Sequence, residues 1–160
     1  MVRMFGLVAP RVARTVTIAT LGTLLMSASA FAQTPDPDRF FFKGGAGLIL
    51  NFIKPDKAAD WEALIDKIVA AMKASDDPQR KAQASAWKVY KSTEQPVKDA
   101  VLYFWVLEGV PPDGEYSMVK ILTQLFKTDA NAMYQEYSAA YVVPPAQQFF
   151  HLTQVKDYSK

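Results

Sequence analysis

The sequence predicts an α+β fold with the element order β-α-β-β-α-β, in which helices cover one face of a four-stranded antiparallel sheet. Residues 48–53 and 101–107 are strand-like and apolar on both faces, whereas residues 87–91 and 149–155 carry polar residues between their apolar ones. Strands that are apolar on both faces are covered on both sides, and alternating strands have one face in water. Only two stretches are clearly helical, which is enough to cover one face. We expect a second copy of the protein to cover the other face.

The first 32 residues have the composition of a signal peptide. Their only charged residues are Arg3, Arg11 and Arg14. An uncharged, mostly apolar run over residues 16–32 ends in Ala30-Phe31-Ala32, with small residues at the two positions that a signal peptidase reads. The run is shorter than the roughly 20 residues of a membrane-spanning helix, although an uncleaved anchor is the alternative. We therefore expect cleavage before Gln33 and a periplasmic or secreted protein.

The charge balance disfavours electrostatic partners. The chain has 18 Lys+Arg against 16 Asp+Glu, and loss of three arginines with the signal peptide leaves 15 basic and 16 acidic residues. Because no basic stripe is left, we expect no nucleic-acid binding and no stable membrane insertion after cleavage. The 128 residues after position 32 of 160 suit one domain. One histidine and no cysteine leave no disulfide and no zinc or iron–sulfur site, and we expect no metal or other cofactor.

The elements follow in order from local patterns. Residues 33–46 are predicted to be a flexible leader, because Thr34-Pro35-Asp36-Pro37-Asp38 resists regular structure and glycines follow it. The domain is expected over residues 47–158. After the first strand, a helix is predicted from an apolar stripe at helical spacing. The stripe consists of Trp61, Leu64, Ile65, Ile68, Val69 and Met72. Asp76-Asp77-Pro78 is expected to stop this helix.

The second half of the domain is predicted to contain the other three strands and the second helix. The strand at residues 87–91 leads through a polar turn, residues 93–99, into the third strand. A second helix is predicted from the apolar stripe Met118, Ile121, Leu122, Leu125 and Phe126. Asp129 is expected to cap a further helical segment with Met133, Tyr134, Tyr137 and Tyr141 at helical spacing. Pro144-Pro145 ends that segment before the last strand. This is the split βαβ plan, in which the first and third strands are central.

A β-α-β-β-α-β chain of this length with an apolar second sheet face resembles the ferredoxin-like, dimeric α/β-barrel superfamily. That group includes antibiotic-biosynthesis monooxygenases and uncharacterised exported members. The resemblance covers residues 47–156 and rests on the strands at 48–53 and 101–107 and the helix at 61–72. It implies a homodimer whose two sheets enclose a barrel. It implies no particular chemistry, because this fold hosts many unrelated activities.

The two faces of the sheet differ in composition. We expect an almost wholly apolar set to face the helices: Leu48, Leu50, Phe52, Leu102, Phe104, Val106, Phe150 and Leu152, joined by Trp87 and Val89. The opposite set adds polar tips to aromatic bulk: Ile49, Asn51, Ile53, Lys88, Tyr90, Tyr103, Trp105, Leu107, Phe149, His151 and Thr153. Such a mixture is typical of a small-molecule cavity. It is also typical of a dimer interface that is simply packed.

The candidate ligand-binding residues come from the second set: Asn51, Lys88, Tyr90, Tyr103, Trp105 and His151. Asn51 and His151 are the candidates for catalysis, with His151 as a general base. Each has a structural alternative, because a buried amide needs a partner and a lone histidine is often simply hydrogen-bonded. The first hypothesis for function is a dimer that binds a small apolar or aromatic molecule between its sheets. The alternative is a cofactor-independent monooxygenase or isomerase acting on a small aromatic substrate.

Overall fold

The fold is α+β, with two antiparallel sheets and helices packed on one face of the larger sheet. The computed structural model describes residues 37–43, 45–94, 97–143 and 146–158, all within one compact unit, Thr34–Lys160. The predicted signal peptide, residues 1–32, lies outside the described residues. Within the described ranges, no helix is long and apolar enough to span a bilayer.

The larger sheet has the two strands that are apolar on both faces at its centre. The strands are β1 (Phe41–Phe42), β2 (Gly45–Ile53), β3 (Trp87–Lys91), β4 (Val101–Val110), β5 (Gly114–Glu115) and β6 (Gln147–Leu152). The order is β3-β4-β2-β6, and all neighbouring strands are antiparallel. Ile49 of β2 lies opposite Trp105 of β4 and Phe149 of β6. The prediction that residues 48–53 and 101–107 belong to central strands is confirmed.

Four helices accompany the sheet: α1 (Ala58–Ala74), α2 (Pro78–Ala86), α3 (Met118–Phe126) and α4 (Ala130–Ala139). The predicted stripe of α1 is buried at Trp61, Leu64, Ile65, Ile68 and Met72, with Val69 partly buried beside it. On α3, Met118, Ile121 and Leu122 are buried, and on α4 Met133 and Tyr137 are buried. These apolar stripes pack together with one face of the sheet in a single core cluster.

The predicted stop at residues 76–78 also starts a helix that the sequence analysis missed. The Asp77 side chain accepts a hydrogen bond from the backbone N–H of Gln79 at 2.9 Å, and Pro78 occupies the first turn of α2. An N-cap aspartate followed by proline is a helix start signal. That N–H holds the pKa of Asp77 below its usual value. By contrast, the prediction that Asp129 caps α4 is wrong, because its side chain makes no capping hydrogen bond.

The predicted assignment of the sheet faces was inverted for β2, β4 and β6 but correct for β3. Ile49, Asn51 and Ile53 are buried beneath the helices, as are Tyr103, Trp105 and Leu107. The Trp61 ring lies 4.6 Å from the Tyr103 ring and 5.9 Å from the Trp105 ring, measured between centroids. Of the set expected under the helices, Trp87 and Val89 lie on the helix side, and the other members lie on the opposite face. Both sets are apolar enough to be covered, so alternation alone could not decide which one receives the helices.

Of the predicted leader, the structure describes residues 37–43 and 45–46, and these residues pack into the domain. This corrects the expectation that the segment is flexible. Pro37–Phe40 forms a 3-10 turn, and β1 pairs with β5. The Phe42 ring is 1% exposed and contacts the Tyr116 ring edge-on at a centroid distance of 5.6 Å. A Cβ at position 47 would overlap the Phe42 ring, so Gly47 makes room for it. This segment was missed because two-residue strands carry no periodic pattern.

Replacing Phe42 tests whether the leader contributes to stability. We expect Phe42→Ala to lower the free energy of unfolding by about 3–5 kcal/mol, the usual loss for a buried phenylalanine. Phe41→Ala, at the half-buried neighbouring position, is the matched control and is expected to lose about 1 kcal/mol. Urea denaturation followed by tryptophan fluorescence measures both. Equal, small losses in the two variants would contradict the packing of Phe42.

Candidate functional site

The candidate site is the sheet face that none of the helices in the described residues covers, and we call it the open face. It carries Leu48, Leu50, Phe52, Leu102, Phe104, Val106, Phe150 and Leu152, together with Lys88 and Tyr90 of the edge strand β3. Tyr90 is 52% exposed, Phe150 43% and Leu152 45%. Contiguous apolar patches of this kind on soluble proteins mark binding surfaces. The face is therefore the principal candidate for binding.

One end of the open face is already closed by its own chain. Phe52 and Leu102 are buried in a second, small cluster with Ala100, and Val97 and Val142 pack against them. This cluster joins the turn after β3 to the segment after α4. The apolar side chains at the other end, towards Leu48 and Leu152, have no such cover among the described residues.

A cavity lies at that uncovered end. Its volume is about 610 Å³, within the range of roughly 300–1,000 Å³ that ligand pockets usually have. The lining residues are Gly45, Ala46, Glu108, Gly109, Leu152, Thr153 and Gln154. Gly109 has a φ of +66°, and a β-bulge lies between Gly45 and Ala46. Glu108, Thr153 and Gln154 form a polar rim to this cavity, next to the apolar side chains of Ala46 and Leu152.

The rim carries one ion pair. Glu108 bonds to the Lys88 ammonium across β3 and β4, on the open face. This hydrogen bond raises the pKa of Lys88. Both side chains are about half exposed, so the pair contributes little to stability as it stands.

Three predicted site residues lie in the core and not on the open face. Asn51, Tyr103 and Trp105 are each at most 1% exposed beneath the helices. Lys88 and Tyr90 are on the open face, and His151 lies on the helix side of the edge strand β6. The structure therefore does not bring the six candidates together. All six residues were predicted to share one face of the sheet. In β3, however, Trp87 and Val89 lie opposite Leu107 and Trp105, so Lys88 and Tyr90 are on the other face from Trp105.

Asn51 is the centre of a buried polar network. Its Oδ1 lies 2.9 Å from the Tyr141 hydroxyl and accepts a hydrogen bond from Gln147 Nε2 at 2.7 Å. Its Nδ2 donates to the carbonyl of Ile49 at 3.2 Å. Tyr137 joins through the Tyr141 hydroxyl at 2.6 Å. Burial raises the pKa of both tyrosines, so both stay neutral in the physiological range. The amide thus ties β2 to β6 and to the end of α4.

Tyr103 and Trp105 also have structural partners. The Tyr103 hydroxyl donates a hydrogen bond to Glu62 of α1, and Lys91 lies 3.0 Å from the same carboxylate oxygen. The Tyr103 hydrogen bond, reinforced by Lys91, lowers the pKa of Glu62, whereas burial raises that of Tyr103. The Trp105 ring packs edge-on against Trp87 at 4.4 Å between centroids. These side chains hold α1 on the sheet.

His151 lies against the leader. Its ring stacks on Phe42 at a centroid distance of 4.7 Å, and its Nε2 is 3.2 Å from the carbonyl oxygen of Arg39. His151 is opposite Gly47, whereas Asn51 is opposite Gln147. Four residues along an antiparallel strand separate the two candidates, roughly 13 Å. They therefore do not share one catalytic site.

Comparison of this chain with protein-family models, with curated proteins and with solved structures finds no match. Within the described residues, no group of three or more His, Cys, Asp or Glu side chains is placed to hold a metal ion.

The network around Asn51 makes a direct prediction about stability. Asn51→Ala removes the three hydrogen bonds of the buried amide, to Tyr141, Gln147 and the carbonyl of Ile49, and is expected to lower the free energy of unfolding by about 2–3 kcal/mol. Asn131→Ala, an exposed asparagine on α4, is the matched control and is expected to change it by less than about 0.5 kcal/mol. Chemical denaturation of both variants measures the difference. A stability of Asn51→Ala equal to that of the control would contradict the structural role.

Proposed function

We propose that the protein is an exported homodimer that holds a small apolar or aromatic molecule between the open faces of its two sheets. The observation that carries this proposal is the open face itself, a mainly apolar surface formed by all four strands of the larger sheet, with Lys88, Glu108 and Gln148 as its polar side chains. The order β3-β4-β2-β6 supports the ferredoxin-like plan, with the second and fourth strands of that plan at the edges. In the dimeric α/β barrel that this plan resembles, two such faces meet.

The size of the open face suits a small dimer interface. Its strands have 5, 10, 9 and 6 residues, which at about 3.3 Å per residue and about 4.8 Å between strands give a flat area of roughly 480 Å². The side chains standing on the sheet add accessible surface to this flat area, and the smaller specific interfaces bury about 600 Å² or less per partner. A second copy presents the same apolar composition, which makes the face self-complementary, as a two-fold dimer requires.

The cavity at the uncovered end supports the ligand. A second sheet packed on the open face would enclose the 610 Å³ cavity next to Ala46 and Leu152. The walls would then be mostly apolar, with the Lys88–Glu108 pair and Thr153 as polar groups at the rim. That composition favours an apolar or aromatic body with one polar end. The alternative of a monooxygenase or isomerase receives no support from Asn51 and His151, which lie in separate surroundings.

A charge placed at the centre of the open face tests the dimer. Val106→Lys would put two unpaired ammonium groups into the interface and is expected to raise the dimer dissociation constant at least about 100-fold. In the separated chain the new lysine reaches water, so the circular dichroism spectrum is expected to be unchanged. Val119→Lys makes the same substitution at an exposed position on α3 and serves as the control.

Light scattering coupled to size-exclusion chromatography measures the mass of each variant. The proposal expects two chains for the wild type and for Val119→Lys, and one chain for Val106→Lys. A Val106→Lys protein that elutes with the wild-type mass would contradict an interface on the open face.

A further inference from the structure

A second cavity lies on the helix side, away from the open face. It has a volume of about 210 Å³ and opens between the 3-10 turn Pro37–Phe40, the start of α3 and the side of α4. Six of its lining residues enter the argument: Arg39, Phe40, Ser117, Val119, Tyr134 and Gln147. They come from four separate parts of the chain, so the fold is needed to assemble them.

Arg39 brings a cation to this cavity without a matching anion. Its guanidinium carbon lies 4.6 Å from the Phe40 ring centroid and 5.2 Å from that of Phe149, so two rings position it. The Nε of Arg39 is buried and has no hydrogen-bond partner among the described residues. No ion pair joins Arg39 to a carboxylate in the part of the chain that the structure describes. A guanidinium that lines a cavity and has no carboxylate partner can donate charge-assisted hydrogen bonds to an acceptor on a ligand.

Ser117 supplies the second donor from the opposite wall. It precedes α3, a helix of nine residues, and its side chain is 8% exposed. Its hydroxyl does not cap the helix. The first turn of α3 adds the partial positive charge and free N–H groups of a helix N-terminus. A serine hydroxyl, a guanidinium and a helix N-terminus thus meet at the same small cavity.

The remaining lining residues define the kind of anion. None of the nine carries a carboxylate, and Arg39 is the one formal charge among them. The hydroxyl of Tyr134 adds a further polar contact, whereas Phe40, Met118 and Val119 form an apolar wall. One cation matches a singly charged group better than a dianion, and an apolar wall matches a carbon skeleton.

We propose that this cavity is a binding site for a small organic carboxylate. The carboxylate would accept hydrogen bonds from Arg39, Ser117 and the first turn of α3, and its apolar body would lie against Phe40 and Val119. This site is independent of the dimer and of any ligand between the sheets, because it shares no residue with the open face.

Benzoate is the probe, and isothermal titration calorimetry on the full chain as the cell exports it is the measurement. We expect saturable benzoate binding. Benzyl alcohol, which lacks the negative charge, and inorganic phosphate, which lacks the apolar body, are each expected to bind at least about tenfold more weakly. Arg39→Gln is expected to weaken benzoate at least about tenfold and to leave benzyl alcohol unchanged. Ser117→Ala keeps the arginine and is expected to weaken benzoate about three- to tenfold.

Two controls separate this site from the others. Lys57→Gln removes an exposed cation that pairs with Asp60 and does not line the cavity, and it is expected to bind benzoate as the wild type does. Val106→Lys, on the open face, is also expected to bind it normally. Absence of saturable benzoate binding, equal or tighter binding of phosphate, or loss of benzoate binding in Val106→Lys but not in Arg39→Gln and Ser117→Ala would each overturn the proposal.

Discussion

The constraint on which the rest of the structure depends is that both faces of the larger sheet are apolar. The helices bury only the face that carries Ile49, Tyr103 and Trp105. The other face, from Leu48 to Phe150, is left with half-exposed apolar side chains in the single chain. Removing such a surface from water is the main favourable term in association. A partner surface of the same composition satisfies that constraint, and a second copy supplies one without any further protein.

The covered face is fixed by aromatic packing and one polar network. Trp61 and Trp105 pack between α1 and the sheet, and the Asn51 amide joins β2, β6 and the end of α4. A one-residue slip of either central strand would carry these side chains to the open face. The polar network therefore specifies register as well as contributing stability. This rigid half of the molecule is what presents the open face as a continuous surface.

The sequence predicted the elements better than their orientation. Strand periodicity identified β2, β3, β4 and β6, and helical spacing identified α1 and α3, because apolar period reports directly on burial. Strand periodicity could not show which face of β2 packs against the helices, because Leu50 and Ile49 are equally apolar. The partners of Asn51 were also out of reach, because Tyr141 is 90 residues away along the chain. The same holds for the helix-side cavity, which needs Arg39 and Ser117 brought together by the fold.

The two candidate sites differ in chemistry as well as in place: the open face is broad and apolar, whereas the helix-side cavity is small and positively charged. The proposed dimer requires that a second chain covers the open face. Native mass spectrometry of the protein purified after expression of the full chain tests this requirement most directly. We expect a mass of two chains with a discrete small adduct. A single-chain mass at micromolar concentration would contradict it, because the open face would then be exposed to water in the native protein.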